Sequence, residues 1–323
     1  HIDVMAVLAG VPGGSAQDVF ISVLSHGLDE ETNTPISNIK KFGNIDAFWQ
    51  LVRKYTGYQY EEENPLGLFA AHVLLTALSQ TMSASVFKGL ERFLSESNKA
   101  YCYSMVHEWQ NREDHSALLE LCRSVEQELQ LPTRFDKQEI ETLLTGDIFP
   151  AIHESILKRF YDEISGQVVK TDLMLKTVEN RRTSGWYEMF YDYYECLYHV
   201  ARMQNFYQEH AGGFHIVEPK AIWKLYTEQG YQMDSDYRQF HLHFGNALKD
   251  SNAVLEDKLK HAAEYVESLY KNWFLGELTS CWTNAASGDL ASLGYVSEIR
   301  RQRDFYAHYV RPLAGKTTRA FVI

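Results

Sequence analysis

Between Trp186 and Tyr207 the chain carries its densest run of aromatic residues, and they recur at the period of an α-helix. Tyr187, Phe190, Tyr191, Tyr194, Leu197, Tyr198 and Ala201 come round to one side every three or four residues. That spacing builds an apolar stripe along one long helix. Each aromatic ring buries a large area, so the stripe must be covered by other elements. Helix packed on helix is the expected solution. Pro (7) and Gly (19) are sparse among the 323 residues, and 45% of the chain is hydrophobic. This disfavours both a turn-rich β fold and disorder. The expected fold class is mainly α, a bundle-like architecture of antiparallel helices with short connections.

The same period recurs on either side. Ser15-Ala-Gln-Asp18 reads as a capping box ahead of Val19, Phe20, Val23 and Leu24. Asn44 caps a helix bearing Phe48, Leu51, Val52 and Tyr55. Asn64-Pro65 opens a nearly all-apolar helix through Phe69, Val73 and Leu74, expected at the centre of its subdomain. Further helices are expected at 98–112, 115–131, 136–144 and 151–164, then from Glu218-Pro-Lys, from Asp234 or Ser235, and over 254–282. Gly288 to Gly294 reads as a loop. Ser297 should cap a last helix whose apolar face is Ile299, Phe305, Tyr306, Tyr309 and Val310, stopped by Pro312. No fixed-period repeat is present. Three regions are expected: an N-terminal helical subdomain over 1–131, an aromatic-rich helical subdomain over 132–316, and a short final segment over 317–323. That segment, Thr-Thr-Arg-Ala-Phe-Val-Ile, ends in strand-forming residues. It reads as the first strand of a truncated α/β domain, since a buried strand needs a partner for its backbone groups. The chain is accordingly read as a fragment.

A net charge of −12 argues against a general nucleic-acid-binding surface. The apolar stretch from Leu66 to Leu78 is too short to span a bilayer and contains His72 and Thr76, so no membrane partner is expected. Cys102, Cys122, Cys196 and Cys281 lack zinc-knuckle or CxxC spacing. They read as free thiols of a reducing, cytoplasmic compartment.

Motifs for chemistry are few. Gly10-Val-Pro-Gly-Gly14 lacks the lysine of a phosphate loop and reads as a turn into a helix cap. The aromatic helix carries Glu188, Asp192 and Glu195 where a base-stacking platform would interleave Lys and Arg. His241-Leu-His243 is the most metal-like pair, but residues two apart on a helix diverge. His153-Glu154 lacks a second histidine at zincin spacing. His210 and His215 flank the Gly212-Gly213 turn. Glu195 and His199 stand one turn apart, short of the Glu-x-x-His sets of bundle carboxylate sites. A basic cluster, Arg300, Arg301 and Arg303, reads first as a solvated or salt-bridged face, then as a surface for a neighbouring acidic domain, then as a phosphate-backbone contact. No catalytic, cofactor-binding or metal residue is assigned.

The C-terminal part carries a resemblance. Tyr270-Lys-Asn-Trp-Phe-Leu275, Leu278 and Trp282, Gln302-Arg-Asp-Phe-Tyr306, Tyr309-Val-Arg-Pro312 and Arg319-Ala-Phe-Val-Ile323 are similar to the approach to the catalytic domain in the PglZ family of BREX phage-defence systems. Lys41-Phe-Gly with Phe48-Trp49, the Asn64-Pro-Leu helix and Tyr237-Arg-Gln-Phe240 resemble it upstream. In that family the run similar to Phe321-Val-Ile323 continues into a Ser-Asp-Ala-Leu-Arg-Tyr-Glu motif. Its Asp belongs to the metal site of an alkaline-phosphatase-like domain. The resemblance thus implies a parent that is a metal-dependent phosphatase or phosphodiesterase, with the divalent metal in a domain this chain lacks. It implies other BREX subunits as partners, and nucleic acid through the full-length protein. This chain would be the helical region that scaffolds the hydrolase. The competing readings are a stand-alone helical adaptor and an independent helical enzyme with a metal held between helices.

Overall fold

The structure is a computed structural model that describes residues 2–249 and 252–315. Its architecture is mainly α, and no strand occurs among the described residues. The strand expected at 317–323 lies outside them. The chain forms two compact units, each assembled from more than one segment. The first takes the chain up to Asp162, Lys176–Tyr194 and Ala253–Leu255. The second takes Glu163–Leu175, Glu195–Asn252 and the chain from Glu256 onward.

The first unit is organised on helix Pro65–Leu78, in which every residue except Leu68 is buried. Asn64 adopts a left-handed conformation (φ 53°), and its side chain accepts the Gly67 N–H. Pro65 follows at the first helical position, where its missing N–H costs nothing. Helix Lys99–Gln110 packs along this hub. Phe20, Phe48, Trp49, Tyr58 and Phe69 meet beside it, largely edge to face, at 4.9–6.1 Å between centroids. The Tyr58 hydroxyl donates to the Pro65 carbonyl at 3.0 Å. Two buried polar side chains of the hub are matched: His72 Nε2 meets the Thr56 carbonyl at 2.8 Å. Thr76 donates to the Phe93 carbonyl at 3.0 Å. Gly57 ends helix Ile45–Thr56 with φ 80°, and a Cβ there would sit 2.3 Å from Ser95 Oγ. The glycine-rich turn at 10–14 does lead into the Ser15 capping box, closed by Asp18.

Local expectations gave way where a tertiary anchor intervened. Trp186 to Phe190 precede the aromatic helix rather than belong to it; the helix runs Tyr191–His210. Trp186 donates to the Ile148 carbonyl at 2.9 Å. Gly185 lies so close to Gln110 that a Cβ would be 2.8 Å from its Cβ. These contacts pin an approach that is not α-helical, a turn followed by a 3-10 helix at Glu188–Phe190. Tyr191 is exposed, and Tyr193 takes the buried place expected for it. Pro132 lies inside a short helix, Leu131–Phe135, and only Ile140–Leu143 is α-helical in the span expected as 136–144.

In the second unit, helix Pro219–Leu225 passes through a π-helical turn, Tyr226–Gly230, into helix Tyr231–Ala247. The helix expected from Asp234 or Ser235 therefore begins earlier. Helix Ala253–Glu267 similarly passes through a π-helical turn, Ser268–Phe274, into helix Leu275–Leu293. The expected loop at 288–294 is helical as far as Leu293. Gly294 (φ 74°) is the stop, its N–H bonding the Leu290 carbonyl. A π turn inserts residues relative to α spacing, so the buried stripe changes side after it. Leu259, Ala262, Val266, Leu269 and Phe274 are buried, but within helix Leu275–Leu293 only Ala286 is buried. Phe206, Phe214, Trp273 and Phe274 form the ring cluster of this core. The last helix expected from Ser297 is reduced to a 3-10 turn at Gln302–Asp304 and a π turn at Tyr306–Val310. Of its expected apolar face, Phe305, Tyr306 and Tyr309 are exposed, while Ile299 and Val310 are partly buried.

Candidate functional site

Two polar clusters lie in the second unit. Helix Tyr191–His210 presents Glu195, His199 and Arg202 at intervals of four and three, which places them on one stripe. Helix Tyr231–Ala247 presents Asp236 and His243 two turns apart, with Phe240 between them. The stripes converge. His199 Nδ1 lies 2.8 Å from Asp236 Oδ1. Arg202 Nε donates to both Asp236 oxygens at 2.9 and 3.1 Å. The His199 and His243 rings stack at 5.9 Å with 14° between planes. One donor atom each from Glu195, His199 and His243 lies within 4.8 Å of the others. Glu195, Asp236 and His243 are buried, and the His199 side chain is 12% exposed. Phe240 is fully buried, its carbonyl 3.7 Å from Cys196 Sγ.

The second cluster joins both π turns. Asp234 accepts from the Tyr226 hydroxyl at 2.5 Å and the Tyr270 hydroxyl at 2.8 Å. Tyr270 stacks on Tyr237 at 3.8 Å. Glu267 accepts from Tyr237 at 2.8 Å, lies 2.9 Å from His241 Nε2, and pairs with Lys271 at 2.5 Å. Burial pushes Tyr237 and Tyr270 up, and the carboxylates beside them add to the shift. Burial opposes ionisation of Glu267, yet Lys271 and Tyr237 outweigh it and hold the carboxyl below its usual range. The cluster is thus a set of neutral hydroxyls donating to carboxylates, a clamp on three segments.

His241 and His243 diverge as helical geometry requires, one reaching Glu267 and the other the Glu195–His199 cluster. His153 is a core residue: Ser184 Oγ and Tyr194 Oη lie 3.1 and 2.9 Å from its two nitrogens, and Phe190 stacks on its ring. Burial, with the Arg181 charge adding, holds it well below the usual histidine range. His210 turns back on its own helix, 2.9 Å from the Phe206 carbonyl. Arg301 pairs with Asp304 at 2.9 Å and lies over Tyr295; Arg303 is 3.8 Å from the same carboxylate; Arg300 lies over Tyr309. All four cysteines are free thiols, with Cys281 half-buried and the rest buried. Burial pushes Cys102 up to about 12.

The Glu195–His199–His243 set was not assembled from sequence. The i, i+4 spacing of Glu195 and His199 was the visible half of the signal. The third member comes from a second helix, and no spacing within one helix reveals it.

Comparison with curated proteins supplies the relationship. The chain is 28% identical over 311 residues to the alkaline phosphatase-like protein PglZ of Bacillus cereus (strain H3081.97), covering 95% of this chain and 35% of that protein. The chain is related to the PglZ family. The alkaline phosphatase-like protein BrxZ of Escherichia coli O9:H4 (strain HS) is 23% identical over 327 residues, covering 95% of this chain and 37% of that protein. The chain thus spans about a third of the length of the PglZ-type relatives it matches. No family profile matches it. No solved structure matches it. No helix among the described residues is long and apolar enough to cross a membrane.

Proposed function

We propose that residues 1–323 form a non-catalytic helical region of a PglZ-like BREX phage-defence protein. In this reading the region scaffolds a metal-dependent phosphatase or phosphodiesterase domain and binds partner subunits. The divalent metal of the hydrolytic reaction belongs to that domain. The observation that carries the reading is the pairing of 95% coverage of this chain with about a third of the length of its relatives. What is matched is one region of a longer architecture, and the relatives are named for a phosphatase-like character. Asp234, Asp236 and Glu267 of the second unit suit scaffolding, because tyrosines, histidines and cations engage their carboxylates. The exposed Phe305, Tyr306, Tyr309 and Leu313 offer apolar area that a folded neighbour would cover.

The test compares residues 1–323 with a longer protein in which the chain is fused to the remainder of a PglZ-type relative. Both are assayed with phosphomonoester and phosphodiester substrates and divalent metal. Turnover is expected only in the longer protein. Metal-dependent turnover by residues 1–323 alone would overturn the non-catalytic reading. Failure of Phe305→Asp and Tyr309→Asp to weaken contact with the hydrolase domain would overturn the scaffolding surface.

A further inference from the structure

We infer that Glu195, His199 and His243 form a binding site for one divalent transition-metal ion of the zinc class, with Asp236 as its positioning residue. This goes beyond the proposed function, assigns a metal to the helical region itself, and stands or falls separately.

The donor set is the first argument. Two imidazoles and one carboxylate suit zinc-class ions and are a poor set for the harder magnesium or calcium, which take oxygen donors. The geometry is the second. Glu195 and His199 come from successive turns of one helix face, and His243 crosses from another helix. The three donors already converge within 4.8 Å. Zinc–ligand bonds of about 2.0–2.2 Å need donors closer together than that limit. Small side-chain rotations supply the difference, leaving a fourth position for water.

The support around the ligands is the third argument. Asp236 Oδ1 sits 2.8 Å from His199 Nδ1. That contact places the proton on Nδ1 and leaves the Nε2 lone pair for a metal, the usual carboxylate–histidine–metal arrangement. Asp236 is itself held by Arg202 through both oxygens. The Arg202 charge offsets that of Asp236, so Glu195 contributes the anionic charge facing the ion. The stacking of the His199 and His243 rings and the burial of Glu195 and His243 limit rotamer freedom on the ligand side. An ion here would clasp helices Tyr191–His210 and Tyr231–Ala247 within one unit.

The test uses the 323-residue chain, stripped with a chelator and equilibrated with Zn²⁺ alone. Bound metal is measured by elemental analysis, and affinity by competition with a chromophoric chelator. One-to-one binding is expected. Glu195→Gln and His243→Ala should each weaken it by about 100-fold or more with helical circular dichroism retained, while His261→Ala, at an exposed histidine, should leave it unchanged. Asp236→Asn should weaken it by about 10- to 100-fold and shift the visible spectrum of the Co²⁺-substituted protein, which loss of packing alone would not do. Absence of stoichiometric Zn²⁺ in the folded wild-type chain would overturn the site. So would binding that survives both ligand substitutions, which would assign the metal to surface histidines. Should those variants not fold, the melting temperature of the wild-type chain decides. A rise with Zn²⁺ but not Mg²⁺ supports the site, and an equal response to both ions overturns it.

Discussion

The two units treat buried histidine in opposite ways. In the first, His153 spends both nitrogens on protein partners, Ser184 and Tyr194, inside an apolar and aromatic core. In the second, His199 gives Nδ1 to Asp236, and its donors converge with Glu195 and His243. The hub helix of the first unit is buried almost all round, whereas helix Leu275–Leu293 of the second unit buries only Ala286. One histidine is a piece of core; the other is held by a carboxylate in a ready orientation. The difference shows that burial alone does not mark a functional histidine. What surrounds its two nitrogens does.

The largest expected effect tests the hub. Phe69→Ala should destabilise the first unit by about 3–5 kcal/mol in urea unfolding, because a fully buried ring leaves a cavity no neighbour can fill. Trp223 is a useful contrast: it lines an open apolar groove of about 270 Å³ with Ile222, Tyr226, Leu278 and Trp282 and is half-exposed. Trp223→Ala should cost much less, and equal costs would break the contrast between a closed and an open apolar face.

Next comes Asp236→Ala in chelator-treated protein, expected to cost roughly 2 kcal/mol because His199 and Arg202 both lose their acceptor. A silent substitution would show that the cluster of the second unit is not held as its distances indicate.

The third prediction concerns pH. His153 is held well below its ordinary 6.5 when folded, so between those two values the unfolded chain binds the extra proton. Stability should therefore fall as pH drops below about 6.5, by up to ~1.4 kcal/mol per pH unit for each such group. Burial shifts His72 in the same direction, opposed in part by the Thr56 carbonyl. His153→Gln should flatten the slope in pH-dependent unfolding. An unchanged slope would remove His153 from the account.

The smallest expected effect is at the arginine cluster. Arg303→Ala should leave the melting temperature at the wild-type value, since exposed ion pairs contribute little. A measurable drop would show that the cluster serves the fold after all.

Much of this architecture was legible along the chain because helix formation is governed by neighbours three and four residues away. The Ser15 box, the Asn44 cap and the Asn64-Pro65 start occur where their side chains can satisfy the first free N–H groups. The all-apolar hub declared its own burial. The boundaries failed where distant residues decide the backbone. Trp186 is anchored to Ile148, and the helix that swallowed Gly288 ran on because glycine costs only about 1 kcal/mol against alanine in a helix.

By itself, then, the sequence determined a mainly helical protein with caps in place and few breakers, and a residue pattern related to the PglZ proteins. Only the tertiary structure decided that Glu195, His199 and His243 share one spot, that Asp234 draws in Tyr226 and Tyr270, and that the face from Phe305 to Tyr309 is exposed. Local periodicity fixes which side of a helix a residue occupies. Which other side it meets depends on the rotation and translation of a second helix, and the two π turns change exactly that phase in ways no single-helix spacing encodes.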